Sequence, residues 1–309
     1  MLVYFRMYRT IAVLLLALTI YTAAVWYLAK LSFETQREQL DHKQWSQPTD
    51  ATAVSNDLPE IANIPNNVLL VIVMSTPENR ARRDVIRKTW VGSYVKHEKK
   101  FAVKFVIGTL DLNTESLISE NKTFGDLLLL TDHLDSYNNL TRKVLHTFVW
   151  VDENTDYSFV LKLDDDSFPK LDRIELELKK RTSHRPLYWG LVESQGKPSK
   201  EGKWAETHWK LCDKYLPYAL GGGYVLSKDL IHRIAINADG LTLYNNEDVS
   251  VGAWISPFDL EIKHDKRFRS SAQKRWHHDQ CKIYLLVHHL SNEDAKKTHE
   301  IMKSKGVLC

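Results

Sequence analysis

Cysteine is scarce in this 309-residue chain: Cys212, Cys281 and Cys309 are the full set, with no Cys-x-x-Cys pair. That excludes a zinc ribbon and a disulfide-dense secreted scaffold, and in an oxidising compartment an odd count leaves a thiol unpaired or shared between chains. There is no Gly-x-Gly-x-x-Gly and no Gly-Lys-Ser/Thr, so neither a dinucleotide fold nor a phosphate loop is supported. An excess of one charge is also missing. The 42 basic residues are nearly offset by 39 acidic ones, which argues against nucleic acid as a partner.

Only one uninterrupted apolar run is long enough to cross a bilayer. Residues 11–29 carry no charge and are closed by Lys30, with Arg6 and Arg9 ahead of them. Trp26, Tyr27 and Leu28 stand where a signal peptidase would need small residues, so the run reads as an uncleaved anchor. The preceding positive charges predict a cytoplasmic tail over residues 1–10 and a lumenal body. Residues 30–65 are polar, with Pro48, Pro59 and Pro65, and read as a stem. Residues 66–309 then form the expected lumenal domain. Sequons at Asn121 and Asn139 agree with a lumenal location.

From Val68 the pattern is α/β. Val68 to Met74 is a continuous apolar run, as in a strand buried on both faces. A helix over 78–91, strands over 101–107 and 127–130, and a helix over 140–151 follow. A fourth strand, 159–163, has a helix over 170–181 behind it, and a last strand covers 283–287. This alternation predicts a mostly parallel sheet flanked by helices, with ligands at the carboxyl ends of its strands.

The fourth strand ends in Asp164-Asp165-Asp166. Alternation turns Asp164 and Asp166 one way and Asp165 the other. Three adjacent acids close either a solvated turn or a cation site, and hard oxygens suit Mn²⁺ or Mg²⁺ holding a diphosphate. Arg83 and Arg87, four apart after the first strand, are placed to meet phosphate, or else form a basic solvated face. Gly221-Gly222-Gly223 permits close backbone approach, Glu247-Asp248 offers a general base, and His288 sits at the last strand's end beside His289. Several tryptophans, Trp204, Trp209 and Trp254 among them, are available to stack on sugar rings or to fill the core.

The ordered set Arg83-x-x-Ile-Arg-x-Thr-Trp, Asp164-Asp165-Asp166, Gly-Gly-Gly-Tyr224-Val-Leu-Ser and Glu247-Asp248-Val249 resembles the beta-1,3-glycosyltransferases of the galactosyltransferase family (glycosyltransferase family 31). The stretches Leu211–Tyr224 and Asn246–Trp254 resemble the branch that adds the second galactose of the glycosaminoglycan linker. The resemblance implies a GT-A fold in a Golgi type II membrane protein. It implies an inverting transfer from UDP-galactose to a xylosylated proteoglycan acceptor, or alternatively β1,3-transfer of galactose or N-acetylglucosamine to another glycan, with Mn²⁺ as cofactor. It places Asp248 as the base and Asp164, Asp166 and His288 at the metal. It also places Ser75, Arg83, Arg87, Asp164 and Asp165 at the donor, and Gly222, Tyr224, Glu247 and Trp254 at the acceptor. An Asp-x-Asp phosphatase fits poorly, because Phe168 stands where Thr or Val is wanted. A sugar-binding protein without catalysis would have no use for Asp248.

Overall fold

Strand β1 (Leu69–Met74) has no exposed face, and the whole domain is built on it. Leu69, Val71 and Val73 point into one core with Ile86 and Trp90, while Leu70, Ile72 and Met74 point into another with Phe148 and Ile231. A strand with apolar side chains on both faces is stable only between two helical layers, each fully buried large side chain contributing about 1.5–3 kcal/mol. The computed structural model describes residues 68–95, 101–269 and 283–304. All of these lie in the compact unit Ile61–Cys309. The expected span over 11–29, the stem, Cys281 and Cys309 lie outside the described residues; among those described, no helix is long and apolar enough to cross a membrane.

The strands β2 (Phe101–Gly108), β3 (Leu127–Leu130), β4 (Phe159–Asp164), β6 (Leu187–Glu193), β7 (Tyr218–Ser227) and β8 (Glu261–His264) complete a seven-stranded sheet in the order β3-β2-β1-β4-β7-β6-β8. β1 pairs in parallel with β2 and β4, β2 with β3, and β6 with β8, while β7 runs antiparallel to both β4 and β6. Six strands therefore share one direction, as the alternation predicts. Met74, Gly108 and Asp164 end their strands at one edge of the sheet, Ser75 follows there, and β7 begins there.

Two expectations need correction. The helix over 78–91 is broken into a 3-10 turn (Pro77–Asn79), a helix (Arg80–Ile86) and a π turn (Arg87–Val91). The Thr89 hydroxyl donates to the Val85 carbonyl at 2.7 Å, a local bond that competes with regular helix and bends it. The last strand is also shorter than 283–287. Only Leu286–Val287 (β10) pairs, with β5 (Phe168–Pro169) and β9 (Phe268–Arg269) in a small second sheet, and Ile283 is exposed.

Candidate active site

The carboxylates at the end of β4 take different partners. Asp165 accepts hydrogen bonds from Ser75 Oγ at 3.1 Å and Asn79 Nδ2 at 2.8 Å, with Arg82 Nε 3.7 Å away. Asp164 and Asp166 face His288 instead. Its Nε2 lies 3.4 Å from Asp164 Oδ2 and 2.8 Å from Asp166 Oδ1, as strand alternation requires. His289 stacks on His288 with centroids 3.8 Å apart, and its Nδ1 is 3.4 Å from Asp166 Oδ2. Burial works against charge on His288, but the two carboxylates outweigh it and push the imidazole up to about 9. Asp164 is driven in the opposite sense: burial is outweighed by Lys162 and His288, and its carboxyl falls well below the usual range.

These donors suit a divalent cation. Atoms of Asp166, His288 and His289 lie within 4.8 Å of one another, and Asp166 Oδ1 is buried without an aligned hydrogen-bond donor. Mixed carboxylate and imidazole ligation fits Mn²⁺ better than Mg²⁺, which prefers oxygen alone.

Across the same cavity stands the helix Glu247–Ile255. Two acids in its first turn are favoured by the partial positive charge of the helix N-terminus. Asp248 is half-buried; its Oδ2 accepts from Gly221 N at 3.0 Å and its Oδ1 from Val249 N at 2.9 Å. Glu247 is buried and held at both oxygens, by Lys162 Nζ at 3.0 Å and by the Tyr224 hydroxyl. Burial pushes the Glu247 carboxyl up to about 7 against the pull of Lys162. Burial also raises Asp248, again opposed by Lys162. The cavity, about 560 Å³, is lined by Asp164, Asp166, Trp204, Gly222, Asp248 and His288 among others.

The glycines make this closeness possible. A Cβ on Gly222 would stand 2.5 Å from the His288 ring, and one on Gly223 would stand 2.6 Å from Leu286. Any side chain at 222 would displace the imidazole from Asp166.

The structure rearranges part of the expected site. Arg83 is fully buried and forms a two-point ion pair with Glu120, at 2.9 and 2.7 Å, while Arg87 binds Glu120 and Asp126. Neither is free to meet a phosphate, because a buried Glu120 requires both cations. Arg83 instead donates to Ser75 Oγ and the Thr76 carbonyl, and so sets the loop that holds Asp165. Tyr224 is fully buried with its hydroxyl on Glu247, so it supports the site from behind. Trp254 is in the core, donating to the Thr242 carbonyl, and Trp209 packs against Tyr215 and Tyr244. Of these aromatics only Trp204 is open, 65% exposed at the cavity rim. Asn121 and Asn139 are partly exposed, and the Asn139 amide donates to the Leu134 carbonyl.

Three residues near the acids were not singled out from sequence: Asn79, Arg82 and Lys162. A signal for Lys162 existed. It is a lysine inside an apolar strand, two residues before Asp164 and therefore on the same face.

A family profile described as Galactosyltransferase matches residues 81–266. The chain is 41% identical over 247 residues to beta-1,3-galactosyltransferase 6 of Mus musculus, covering 78% of this chain and 75% of the mouse protein. It is 30% identical over 231 residues to beta-1,3-galactosyltransferase GALT1 of Arabidopsis thaliana, covering 72% of this chain but 35% of the plant protein. Among solved structures, a glycosyltransferase involved in glycosylation of the major capsid of PBCV-1 aligns at 12% identity with a TM-score of 0.41, over 76% of this chain and 99% of that one. The profile match over more than half the chain, together with the extent of the mouse alignment, shows that this chain belongs to the galactosyltransferase family, glycosyltransferase family 31, and is a glycosyltransferase.

Proposed function

We propose that this glycosyltransferase moves galactose from UDP-galactose to the 3-hydroxyl of galactosyl-β1,4-xylose on proteoglycan core proteins, with inversion at the anomeric carbon. One observation carries the reading. A single cavity has Asp164, Asp166 and His288 on one wall and the carboxylate of Asp248 on another. The galactosyl donor and β1,3 linkage are supported by the name of the mouse relative, and the acceptor by the stretches Leu211–Tyr224 and Asn246–Trp254.

Asp164, Asp166 and His288, with His289 beside them, are the side chains that would hold Mn²⁺. The ion, when bound, offsets the charge of the departing diphosphate. Asp165, braced by Ser75 and Asn79, serves the nucleoside side of the donor. Asp248 takes the proton of the acceptor 3-hydroxyl as that oxygen bonds to the anomeric carbon and the bond to UDP breaks. Glu247 is the weaker choice of base, since it is buried between Lys162 and Tyr224 while Asp248 is partly open to the cavity. No protein nucleophile is needed in a single displacement. Trp204 offers an apolar ring to the acceptor sugar at the rim. On this reading the domain is a GT-A fold in the Golgi lumen, anchored by residues 11–29 with residues 1–10 in the cytoplasm.

The test offers UDP-galactose and Mn²⁺ to the full chain in detergent with galactosyl-β1,4-xylose, N-acetylglucosamine and N-acetylgalactosamine acceptors. Transfer chiefly to galactosyl-xylose is expected. Preference for an amino sugar would overturn the acceptor and leave the chemistry; no transfer to any would overturn the reaction.

A further inference from the structure

Lys162 is buried to 1% exposure in β4, yet each of its three ammonium hydrogens has an acceptor. Nζ donates to Asp164 Oδ1 at 2.9 Å, to the Gly221 carbonyl at 2.9 Å and to Glu247 Oε2 at 3.0 Å. These acceptors come from the end of β4, the middle of β7 and the first residue of the Glu247–Ile255 helix. Two of the contacts lead directly to Asp248. Gly221 donates its own N–H to Asp248 Oδ2, and Glu247 is the neighbouring residue in the chain. One ammonium thus joins the wall facing the diphosphate to the wall carrying the base.

The charge balance gives the same answer. Asp164, Asp166, Glu247 and Asp248 all line one cavity, and carboxylates so crowded repel one another. His288 faces Asp164 and Asp166, and Lys162 is the buried cation that touches both Asp164 and Glu247. A core lysine with three charged or strongly polar partners costs desolvation, and a methionine of similar length would fill the space without that cost. Resting on the assignment of Asp248 as base, we propose that Lys162 is a positioning residue that fixes the separation between the Asp164 wall and the Asp248 wall. In a single displacement the base and the leaving group act on opposite faces of one carbon, so this separation must be held to well within an ångström.

The experiment compares the full chain with Lys162→Met, Glu247→Gln and the double variant, by thermal unfolding, calorimetric binding of UDP with Mn²⁺, and steady-state kinetics. Lys162→Met alone leaves Glu247 buried without its cation, so this variant is expected to unfold early. The double variant removes both charges and is expected to recover the wild-type unfolding temperature and UDP binding. Its kcat is nonetheless expected to stay roughly 10²-fold low, with the KM for donor and acceptor little changed. A purely structural lysine would give the other result: a double variant that regains stability together with wild-type kcat overturns the proposal. A double variant that stays unstable and inactive also overturns it, since the separation from stability would be lost. Asp248→Asn is measured in parallel. If that variant keeps wild-type kcat, the assignment of the base fails, and the proposal fails by that separate route.

Discussion

The Asn79 amide donates to Asp165 at 2.8 Å, whereas His288 reaches Asp164 and Asp166. Neighbouring carboxylates are therefore committed to different partners, and their substitutions should separate. Asp166→Ala is expected to abolish Mn²⁺-dependent UDP binding and turnover together. Asp165→Ala is expected to raise the donor KM while Mn²⁺ affinity, measured by calorimetry or electron paramagnetic resonance, changes little. Equal loss of metal affinity in both variants would refute the division.

Asp248→Asn preserves the shape of the site but cannot take a proton. Turnover should fall roughly 10²- to 10⁴-fold while calorimetric UDP binding persists. Glu247→Gln should behave differently, because it disturbs Lys162 and Tyr224 as well as the site. Loss of unfolding temperature is expected there, and not in Asp248→Asn.

The Arg83–Glu120–Arg87 cluster makes a prediction about stability rather than binding. Burial pushes the Glu120 carboxyl up, but hydrogen bonds from Arg83 and Arg87 prevail and hold it at about 2. A depressed folded pKa stabilises the protein above the unfolded value near 4.5, and this contribution is lost as pH falls through about 2. Glu120→Gln takes the carboxylate away from the fully buried Arg83, while Arg87 keeps Asp126, so urea unfolding at pH 7 should show a loss of about 3–5 kcal/mol. The gap between variant and wild type should narrow as pH is lowered from 4.5 towards 2. A pH-independent gap would mean that the ion pairs are not its source.

Trp204→Ala tests the rim of the cavity. Stacking on a sugar face contributes about 1 kcal/mol, so the acceptor KM should rise roughly fivefold with the donor KM unchanged. Trp209→Ala should lower the unfolding temperature instead, because that ring packs on Tyr215 and Tyr244. An unchanged acceptor KM in Trp204→Ala would move the acceptor away from this wall.

The parallel sheet and the acid triplet were legible because both rest on local pattern. Val68 to Met74 is apolar at every position, and strand alternation alone separates Asp165 from its neighbours. Long-range pairing was not legible. Nothing near Arg83 or Arg87 indicates that Glu120, more than thirty residues on, will claim both side chains. The roles of Tyr224 and Trp254 were misplaced for a related reason: side chains next to a reactive motif can face it or support it from behind, and only packing decides. The break at Thr89 depends on a side-chain bond to the preceding turn that periodicity does not reveal.

The reversed direction of β7 has a consequence for how such enzymes can diversify. Because β7 starts at the edge where β6 ends, with Tyr218 paired to Glu193, the connection over residues 194–217 opens and closes on the cavity side. That segment carries Trp204, yet no strand of the donor half passes through it. It can lengthen, shorten or be exchanged without rethreading the sheet or moving the acid triplet. With the acceptor placed at Trp204 as proposed, new acceptor preferences can arise by replacing one loop, while the acid triplet is inherited intact.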